Sequence, residues 1–244
     1  MNKQITYEDL NIVYEDNHIL VVVKPQNIPV QADVSTDIDM LTLLKEYLKV
    51  TYNKPGDAYL GLVHRLDRPT GGVMVFAKTT KAASRLCDSI KNGDFEKKYL
   101  CVLNGEPHDR NNKLVHYLKK NPTLNKVIVT PMLTEGAKRA ELDYKVLCTE
   151  GKYCLVSVNL ITGRTHQIRV QLATLGTPIF GDVKYGGNGE NYKNFNLALW
   201  ATEIKFTHPT TKEKMTFKVY PPKEEVPWKI FNIDIYLNVN IANN

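Results

Sequence analysis

The sequence predicts a strand-rich protein of mixed α and β structure. Short apolar or alternating segments are bounded by turn residues, as strands are, and other segments repeat apolar residues at helical spacing. No internal repeat, low-complexity tract or clear linker interrupts this pattern. With 244 residues, the chain is long enough to bury a sizeable core as one large mixed domain or as two small ones.

The first elements are two short strands and a helix. Residues 12–14 and 18–24 read as strands, and the second contains five consecutive apolar residues. Both faces of such a strand are expected to be covered. Apolar residues at helical spacing then predict an amphipathic helix over about 39–50.

The stretch 61–78, GLVHRLDRPTGGVMVFAK, is the first that indicates chemistry. It places Arg65 and Asp67 on a turn rich in Pro and Gly, directly before an apolar run over 73–77 that reads as a buried strand. A carboxylate in this position is held rigidly and is still accessible to a substrate, so Asp67 is a candidate catalytic group. The competing interpretation is a surface turn in which the Asp side chain bonds the backbone.

A helix and a strand follow this stretch. Thr79 or Thr80 is placed to cap the helix, and Gly93 to end it. The apolar positions of this helix are Ala83, Leu86, Cys87 and Ile90. Residues 95–103 then read as a strand that carries Tyr99.

The region 105–130 is basic and has little apolar periodicity. One interpretation is a solvated arm or hairpin, and the other is a polycation that follows a phosphate backbone. Its basic residues include Arg110, Lys113, His116, Lys119, Lys120 and Lys126.

The stretch 161–176, ITGRTHQIRVQLATLG, is the second that indicates chemistry. It follows two paired strands, predicted over 140–147 and 153–161. Thr165 is placed to cap a helix that Gly176 ends. Polar and cationic groups near its start, from Arg164 to Arg169, predict an anion site, although an ordinary solvated helix end has the same composition. The glycine-rich segment 181–189 lacks a P-loop pattern, and 197–201 and 215–220 read as closing strands.

Composition narrows the class of protein. The chain is 43% hydrophobic and 24% charged, with a formal net charge of +6 from 32 basic and 26 acidic residues, which suits a polyanionic partner. It contains no apolar run long enough to cross a bilayer and no secretory signal, so a soluble, cytoplasmic protein is expected. The four cysteines show no C-x-x-C spacing, and we predict neither a zinc site nor a disulfide framework.

Taken together, the motifs resemble those of the RluA-type family of RNA pseudouridine synthases, in the form without an S4 domain. The resemblance rests on HRLDRPTGG, FEKKY, TGRTHQIR, the Gly181-Asp182-x-x-Tyr185-Gly186 pattern and LALWA, which occur in the family's order over about 11–220. It implies an α+β fold: a single mixed catalytic domain over 1–244 around a curved, largely antiparallel sheet, with flanking helices and a central cleft.

The resemblance also implies roles for individual residues. Asp67 matches the catalytic aspartate and is expected to be buried and paired with Arg169, while Tyr99 matches the motif tyrosine beside the base. Arg65 matches the arginine that enters the RNA helix as the target uridine flips out. The residues expected to bind substrate are His64, Arg65, Arg164, Thr165, His166, Lys119 and Lys120.

The implied activity is the isomerisation of uridine to pseudouridine in rRNA or tRNA. This reaction is redox-neutral and transfers no external group, so no cofactor and no metal are expected. RNA is the expected partner, with no membrane, no obligate protein partner and a monomeric protein. Gly71, Gln171 and Trp200 depart from the usual family pattern, which puts in doubt any transfer of a relative's RNA target.

Two other classes of protein remain as alternatives. One is a catalytically silent RNA-binding or chaperone protein on the same scaffold, which would not need Asp67, Tyr99 and Arg169. The other is a glycoside hydrolase, which would require a second acid near Asp67. The stretch 61–78 offers no such acid.

Overall fold

Antiparallel strands make up most of the secondary structure in the computed structural model, which describes residues 5–53, 55–186 and 194–237. The strands are Asn11–Glu15 (β1), Ile19–Lys24 (β2), Gly61–Leu62 (β3), Gly71–Ala77 (β4), Glu96–Asn104 (β5), Asn111–Asn121 (β6), Lys126–Thr130 (β7), Lys138–Glu150 (β8), Tyr153–Leu160 (β9), Leu199–Thr207 (β10) and Lys214–Lys218 (β11). The α-helices are Met40–Thr51 (α1), Thr80–Asn92 (α2), Gln167–Ala173 (α3) and Asp234–Leu237 (α4), and 3-10 helices span Tyr7–Asp9 and Trp228–Ile230.

The chain forms two compact units. The first comprises Met1–Phe95 and Glu203–Val219, and the second comprises Glu96–Thr202 and Tyr220–Asn244. The length of the chain is compatible with either one large domain or two small ones. The single catalytic domain over 1–244 and its central cleft stay predictions.

The first unit is built on buried antiparallel strands. Strand β2 pairs with β1 and with β4, β3 also pairs with β4, and β10 pairs with β11. Every residue of β4 is buried, and Ile19 to Val22 of β2 are completely inaccessible to solvent. The prediction that both faces of β2 are covered is therefore confirmed.

Capping residues fix the two helices of the first unit. Asp39 Oδ1 accepts a hydrogen bond from the N–H of Thr42 at the start of α1, and Thr79 Oγ1 accepts one from Ala82 at the start of α2. Gly93 ends α2 with φ +85°, a left-handed conformation that glycine adopts at little cost. Both predicted helices are confirmed.

The apolar face predicted for α2 is only partly correct. Leu86 is buried as expected, and Ala82 is buried with it, but the thiol-bearing Cys87 is exposed. The helix is rotated so that the row through Ala82 and Leu86, four residues apart, faces the core.

The second unit is a meander of antiparallel strands. Neighbouring strands follow the order β5-β9-β8-β6-β7, and Gly151, with φ +58°, lies in the turn between β8 and β9. The basic region 105–130 contributes β6 and β7 and so forms a hairpin, while its contact with a phosphate backbone stays a prediction. Helix α3 packs on this part of the sheet, where Val170 joins Leu118 and Val127 in one buried cluster.

These strands and helices confirm the α+β, largely antiparallel fold class. Among the described residues, no helix combines the length and apolar character needed to cross a membrane. The four cysteines carry free thiols, and those of Cys101 and Cys154 are buried.

Candidate active site

Asp67 lies on a turn that is bonded to the segment following β2. The carbonyl of Arg68 accepts a hydrogen bond from the N–H of Asn27 at 2.8 Å, and the carbonyl of Pro69 accepts one from Gln26 Nε2 at 2.9 Å. These contacts restrain the backbone that carries Asp67. Asp67 itself is half-buried, which is less than the full burial predicted from the sequence.

Lys24, the last residue of β2, is fully buried beside this turn. Its Nζ donates to the carbonyls of Pro25 at 2.8 Å and Arg68 at 3.0 Å. Burial lowers the pKa of the Lys24 ammonium to about 7, although the charge of Asp67 acts in the opposite direction. Sequence reasoning assigned Lys24 only the end of a strand. The signal it overlooked was a lysine that continues an apolar run.

The histidine and the arginine of the HRLD motif have different environments. Arg65 is exposed, whereas His64 packs inward. His64 Nε2 accepts a hydrogen bond from the N–H of Val75 at 3.1 Å, and its ring centroid lies 5.4 Å from that of Phe95. His64 is thus held against β4 by a backbone contact.

In the second unit, Lys97 of the FEKKY motif lies near the start of the TGRTHQIR motif. Tyr99 is buried in β5 opposite Val158, and Lys97 lies two residues earlier, on the same face of the strand. A Cβ placed on Gly163 would lie only 3.6 Å from Lys97 Nζ, so the ammonium group lies close to this part of the TGR turn. Burial lowers the pKa of Lys97.

The start of α3 differs from the prediction. Thr165 is exposed and does not cap the helix, because His166 occupies the N-cap position in a left-handed conformation with φ 52°. Gln167 organises the preceding turn instead. Its Oε1 accepts hydrogen bonds from Arg164 N at 3.0 Å and Thr162 Oγ1 at 2.7 Å. The prediction of a Thr165 cap is therefore wrong.

The cationic groups predicted to gather at the start of α3 are also separated. Arg164 is exposed, and its Nε donates to the carbonyl of Arg139 at 3.0 Å. Arg169 is buried, with a side chain that is 5% exposed. The two arginines therefore do not form one anion site at the helix end.

Arg169 forms a bidentate ion pair with Asp182. Its Nε donates to Asp182 Oδ2 and its Nη2 to Asp182 Oδ1, both at 2.8 Å. Sequence reasoning used Asp182 only as part of a motif and gave it no role. The available signal was the position of Asp182, which follows Gly181 and comes shortly before Tyr185 and Gly186. Two glycines so close together are typical of a tightly turned loop.

Tyr185 links this ion pair to its surroundings. Its hydroxyl accepts a hydrogen bond from the N–H of Val127 in β7 at 2.9 Å and lies 2.8 Å from His166 Nδ1. Its ring centroid lies 5.2 Å from Arg169 Cζ, within the range of a cation–π contact. Tyr185 therefore connects the basic hairpin, the start of α3 and Arg169.

The β6–β7 hairpin carries the two lysines predicted to bind phosphate. Lys119 pairs with Ile128 and Lys120 with Val127. Because consecutive residues of a strand point to opposite faces, the two lysines extend from opposite faces of the hairpin. The two lysines therefore do not project from one face of the strand.

Gln171, one of the departures from the family pattern, fixes this hairpin to α3. It is fully buried, and its Nε2 donates to the carbonyl of Leu114 at 3.1 Å and to His116 Nδ1 at 3.0 Å. Burial lowers the pKa of His116, and a neutral imidazole is the form that accepts this bond.

The three residues expected to act in catalysis belong to different parts of the fold. Asp67 is in the first unit, and Tyr99 and Arg169 are in the second. The pairing of Asp67 with Arg169 stays a prediction. No group of three or more His, Cys, Asp or Glu side chains suited to a metal ion occurs among the described residues.

A family model described as RNA pseudouridylate synthase matches residues 18–174. This span covers more than half of the chain and includes the HRLD, FEKKY and TGRTHQIR motifs. The chain belongs to the RNA pseudouridylate synthase family. The resemblance found in the motifs is thereby confirmed.

Curated members of the family are similar over most of the chain. Ribosomal large subunit pseudouridine synthase C from Buchnera aphidicola subsp. Schizaphis graminum is 36% identical over 84% of this chain and 65% of its own length. Synthase D from the same organism is 32% identical over 88% of this chain and 70% of its own length. The chain thus spans about two thirds of the length of these relatives.

Solved structures of the family share the fold. The human RNA pseudouridylate synthase domain containing 1 matches with a TM-score of 0.71 at 27% identity, over 89% of this chain and 86% of that one. The human RNA pseudouridylate synthase domain containing 4 matches with a TM-score of 0.72 at 23% identity, over 87% of this chain and 89% of that one. Both support the α+β assignment.

Proposed function

We propose that this protein is an RNA pseudouridine synthase that acts on uridine in ribosomal RNA. The observation that carries the proposal is the family match over residues 18–174, because this one span includes Asp67, Tyr99 and Arg169. The names of two relatives favour ribosomal RNA of the large subunit over transfer RNA as the substrate.

Asp67 is the proposed catalytic carboxylate. Isomerisation breaks the N1–C1′ bond of uridine, turns the base and forms a C5–C1′ bond, while the C5 hydrogen is lost and N1 gains one. Atoms and electrons balance without an added reagent. An ionised aspartate is the form that can attack or assist at C1′, and a nearby arginine favours that form. Arg169 is the residue proposed to supply this positive charge.

Tyr99 and Arg65 are proposed to act on the flipped uridine. The phenol ring of Tyr99 offers an apolar face for stacking against the extruded base and a hydroxyl that can exchange a proton. Arg65, which is exposed beside the Asp67 turn, is the side chain proposed to enter the RNA helix in place of that base.

RNA binding is proposed to use cations outside the catalytic residues. Lys119 and Lys120 extend from the hairpin, and Arg164 and Thr165 are exposed before α3. His64 and His166 have ring nitrogens in hydrogen bonds with Val75 N and Tyr185 Oη. We therefore propose that both histidines shape the site and do not transfer protons.

The function is tested with purified protein and large-subunit ribosomal RNA transcribed without modification. Pseudouridine should appear in nucleoside digests of the treated RNA, and transfer RNA incubated in parallel should show none. If pseudouridine formed only in transfer RNA, the assignment of ribosomal RNA as the substrate would be overturned. Binding of both RNAs without pseudouridine in either would instead support the silent RNA-binding alternative.

A further inference from the structure

The ion pair between Arg169 and Asp182 is almost completely removed from solvent. The two side chains are 5% and 0% exposed, and both hydrogen bonds measure 2.8 Å. Parallel bonds between a guanidinium and a carboxylate fix the plane of the arginine as well as its position. Replacing either partner would break both hydrogen bonds and leave the charge of the other less well compensated.

The loop that carries Asp182 is itself fixed. Asp182 Oδ1 also accepts hydrogen bonds from the N–H groups of Lys184 and Tyr185, each at 3.0 Å. A Cβ on Gly181 would lie 2.2 Å from the carbonyl oxygen of Asn196, and one on Gly186 would lie 2.3 Å from that of Asp182. The two motif glycines thus permit a turn in which the carboxylate has one orientation.

The ion pair with Asp182 occupies one edge of the Arg169 guanidinium. Arginine presents two edges that match a carboxylate, one formed by Nε and Nη2 and the other by Nη1 and Nη2. Asp182 occupies the Nε edge, and the ring of Tyr185 lies 5.2 Å from Cζ. The direction of the second edge is therefore set by Asp182 and Tyr185 together.

We infer that Asp182 is a positioning residue, which holds the guanidinium of Arg169 in the one orientation that the proposed reaction uses. This inference rests on the proposed function, in which Asp67 and Arg169 form a pair. Asp182 does not contact substrate in this account. Its effect on turnover passes through Arg169.

The test compares Asp182→Asn with wild type and with Arg169→Lys. Asparagine keeps the size of the side chain but removes the charge that holds the Nε edge. We expect kcat to fall on the order of a hundredfold, the effect of misplacing a catalytic group by about 1 Å, with KM for RNA nearly unchanged.

Coupling between the two residues separates positioning from general stabilisation. Asp182→Asn should have much less effect in the Arg169→Lys background, because lysine cannot form the bidentate pair. If Asp182→Asn lowered kcat by the same factor in both backgrounds, the inference would be overturned. Glu15→Gln is the matched control. It neutralises a largely buried carboxylate that binds Lys78 and two tyrosines in the first unit, and it should leave kcat close to the wild-type value.

A measurement independent of turnover separates this inference from the proposed function. In the wild-type protein, the Nε–H of Arg169 should give a slowly exchanging signal in 1H–15N NMR spectra, assigned by its loss in Arg169→Lys. Asp182→Glu, which keeps the charge but moves the carboxylate, should alter that signal and also lower kcat. A rapidly exchanging Nε–H in the wild type would contradict the pair. If the wild-type protein formed no pseudouridine but its Nε–H signal exchanged slowly, the proposed function would be contradicted and the ion pair would not.

Discussion

At the scale of single residues, Lys24 shows how a buried amine is accommodated beside the turn that carries Asp67. Its amine is enclosed, and its Nζ donates to two carbonyls, one of them on the residue after Asp67. A neutral amine has two hydrogens, enough for both acceptors. Burial is therefore compatible with the neutral form, in keeping with its pKa of about 7.

This pKa predicts a pH dependence of stability. An unfolded lysine keeps its proton up to about pH 10.4. Between pH 7 and that value, the unfolded state binds more protons than the folded state, so the free energy of unfolding rises with pH. Lys24→Met removes this contribution, which should amount to roughly 2 kcal/mol between pH 7 and pH 9.

Urea unfolding at pH 7 and pH 9 checks the Lys24 prediction. The wild-type protein should gain stability relative to Lys24→Met as the pH rises. Lys81→Met, at an exposed position of α2, should retain the wild-type difference. An identical pH response of wild type and Lys24→Met would show that Lys24 remains charged in the folded protein.

At the scale of elements, the loop that carries Asp182 depends on Gly181. Gly181→Ala should lower the free energy of unfolding by more than the roughly 1–3 kcal/mol of left-handed strain, because the new methyl group would also meet the backbone of Asn196. Gly176→Ala is the matched control, with the same φ of +76° and open space around its Cβ. Equal destabilisation of the two variants in urea unfolding would show that the loop can move aside.

The β6–β7 hairpin is the element proposed to contact the RNA backbone. Lys119→Ala combined with Lys120→Ala should weaken RNA binding and lower the slope of log K against log salt concentration by about 1 to 2. Binding titrations at several salt concentrations measure this slope. Lys81→Ala with Lys91→Ala removes the same charge from α2 and should leave the slope nearly unchanged. If both pairs gave the wild-type slope, the hairpin would be a solvated arm only.

Helix ends could be predicted from the sequence where a nearby residue caps them. Asp39, Thr79 and Gly93 act within three residues of the backbone groups that they cap, so the bounds of α1 and α2 could be predicted. The start of α3 could not, because His166 is held by Tyr185, nineteen residues further along the chain. Thr165 was favoured on local grounds alone.

Long-range contacts also explain which site residues the sequence left without a role. Asp67, Tyr99 and Arg169 were found because short motifs carry them. The partner of Arg169 lies thirteen residues later, and the contact of Lys24 with Arg68 spans forty-four residues. Neither separation corresponds to a helical or strand period, so composition and periodicity give no indication of these contacts.

At the scale of the whole molecule, the proposed chemistry requires no metal ion. Protein dialysed against EDTA should form pseudouridine at the wild-type rate in a short RNA substrate that needs no divalent ion to fold. The rate is measured by nucleoside analysis with and without restored Mg²⁺ or Zn²⁺. Turnover that depends strictly on an added metal, with RNA folding unchanged, would contradict the proposed chemistry.

The residues proposed to act in catalysis are found in both units. Asp67 lies on a hydrogen-bonded turn of the first unit, and Tyr99, Arg169 and the basic hairpin lie in the second. The charge of +6 fits a polyanionic partner but does not distinguish one RNA from another. Selection of the target uridine therefore belongs to specific contacts, not to the overall charge of the protein.

The most direct test of the account is the turnover of Asp67→Asn on large-subunit ribosomal RNA. Asparagine preserves the shape of the side chain and removes the charge that the proposed chemistry uses. Pseudouridine formation should fall at least about a thousandfold, while RNA affinity and thermal stability stay close to wild type. Turnover within about tenfold of wild type would contradict the claim that Asp67 is the catalytic carboxylate.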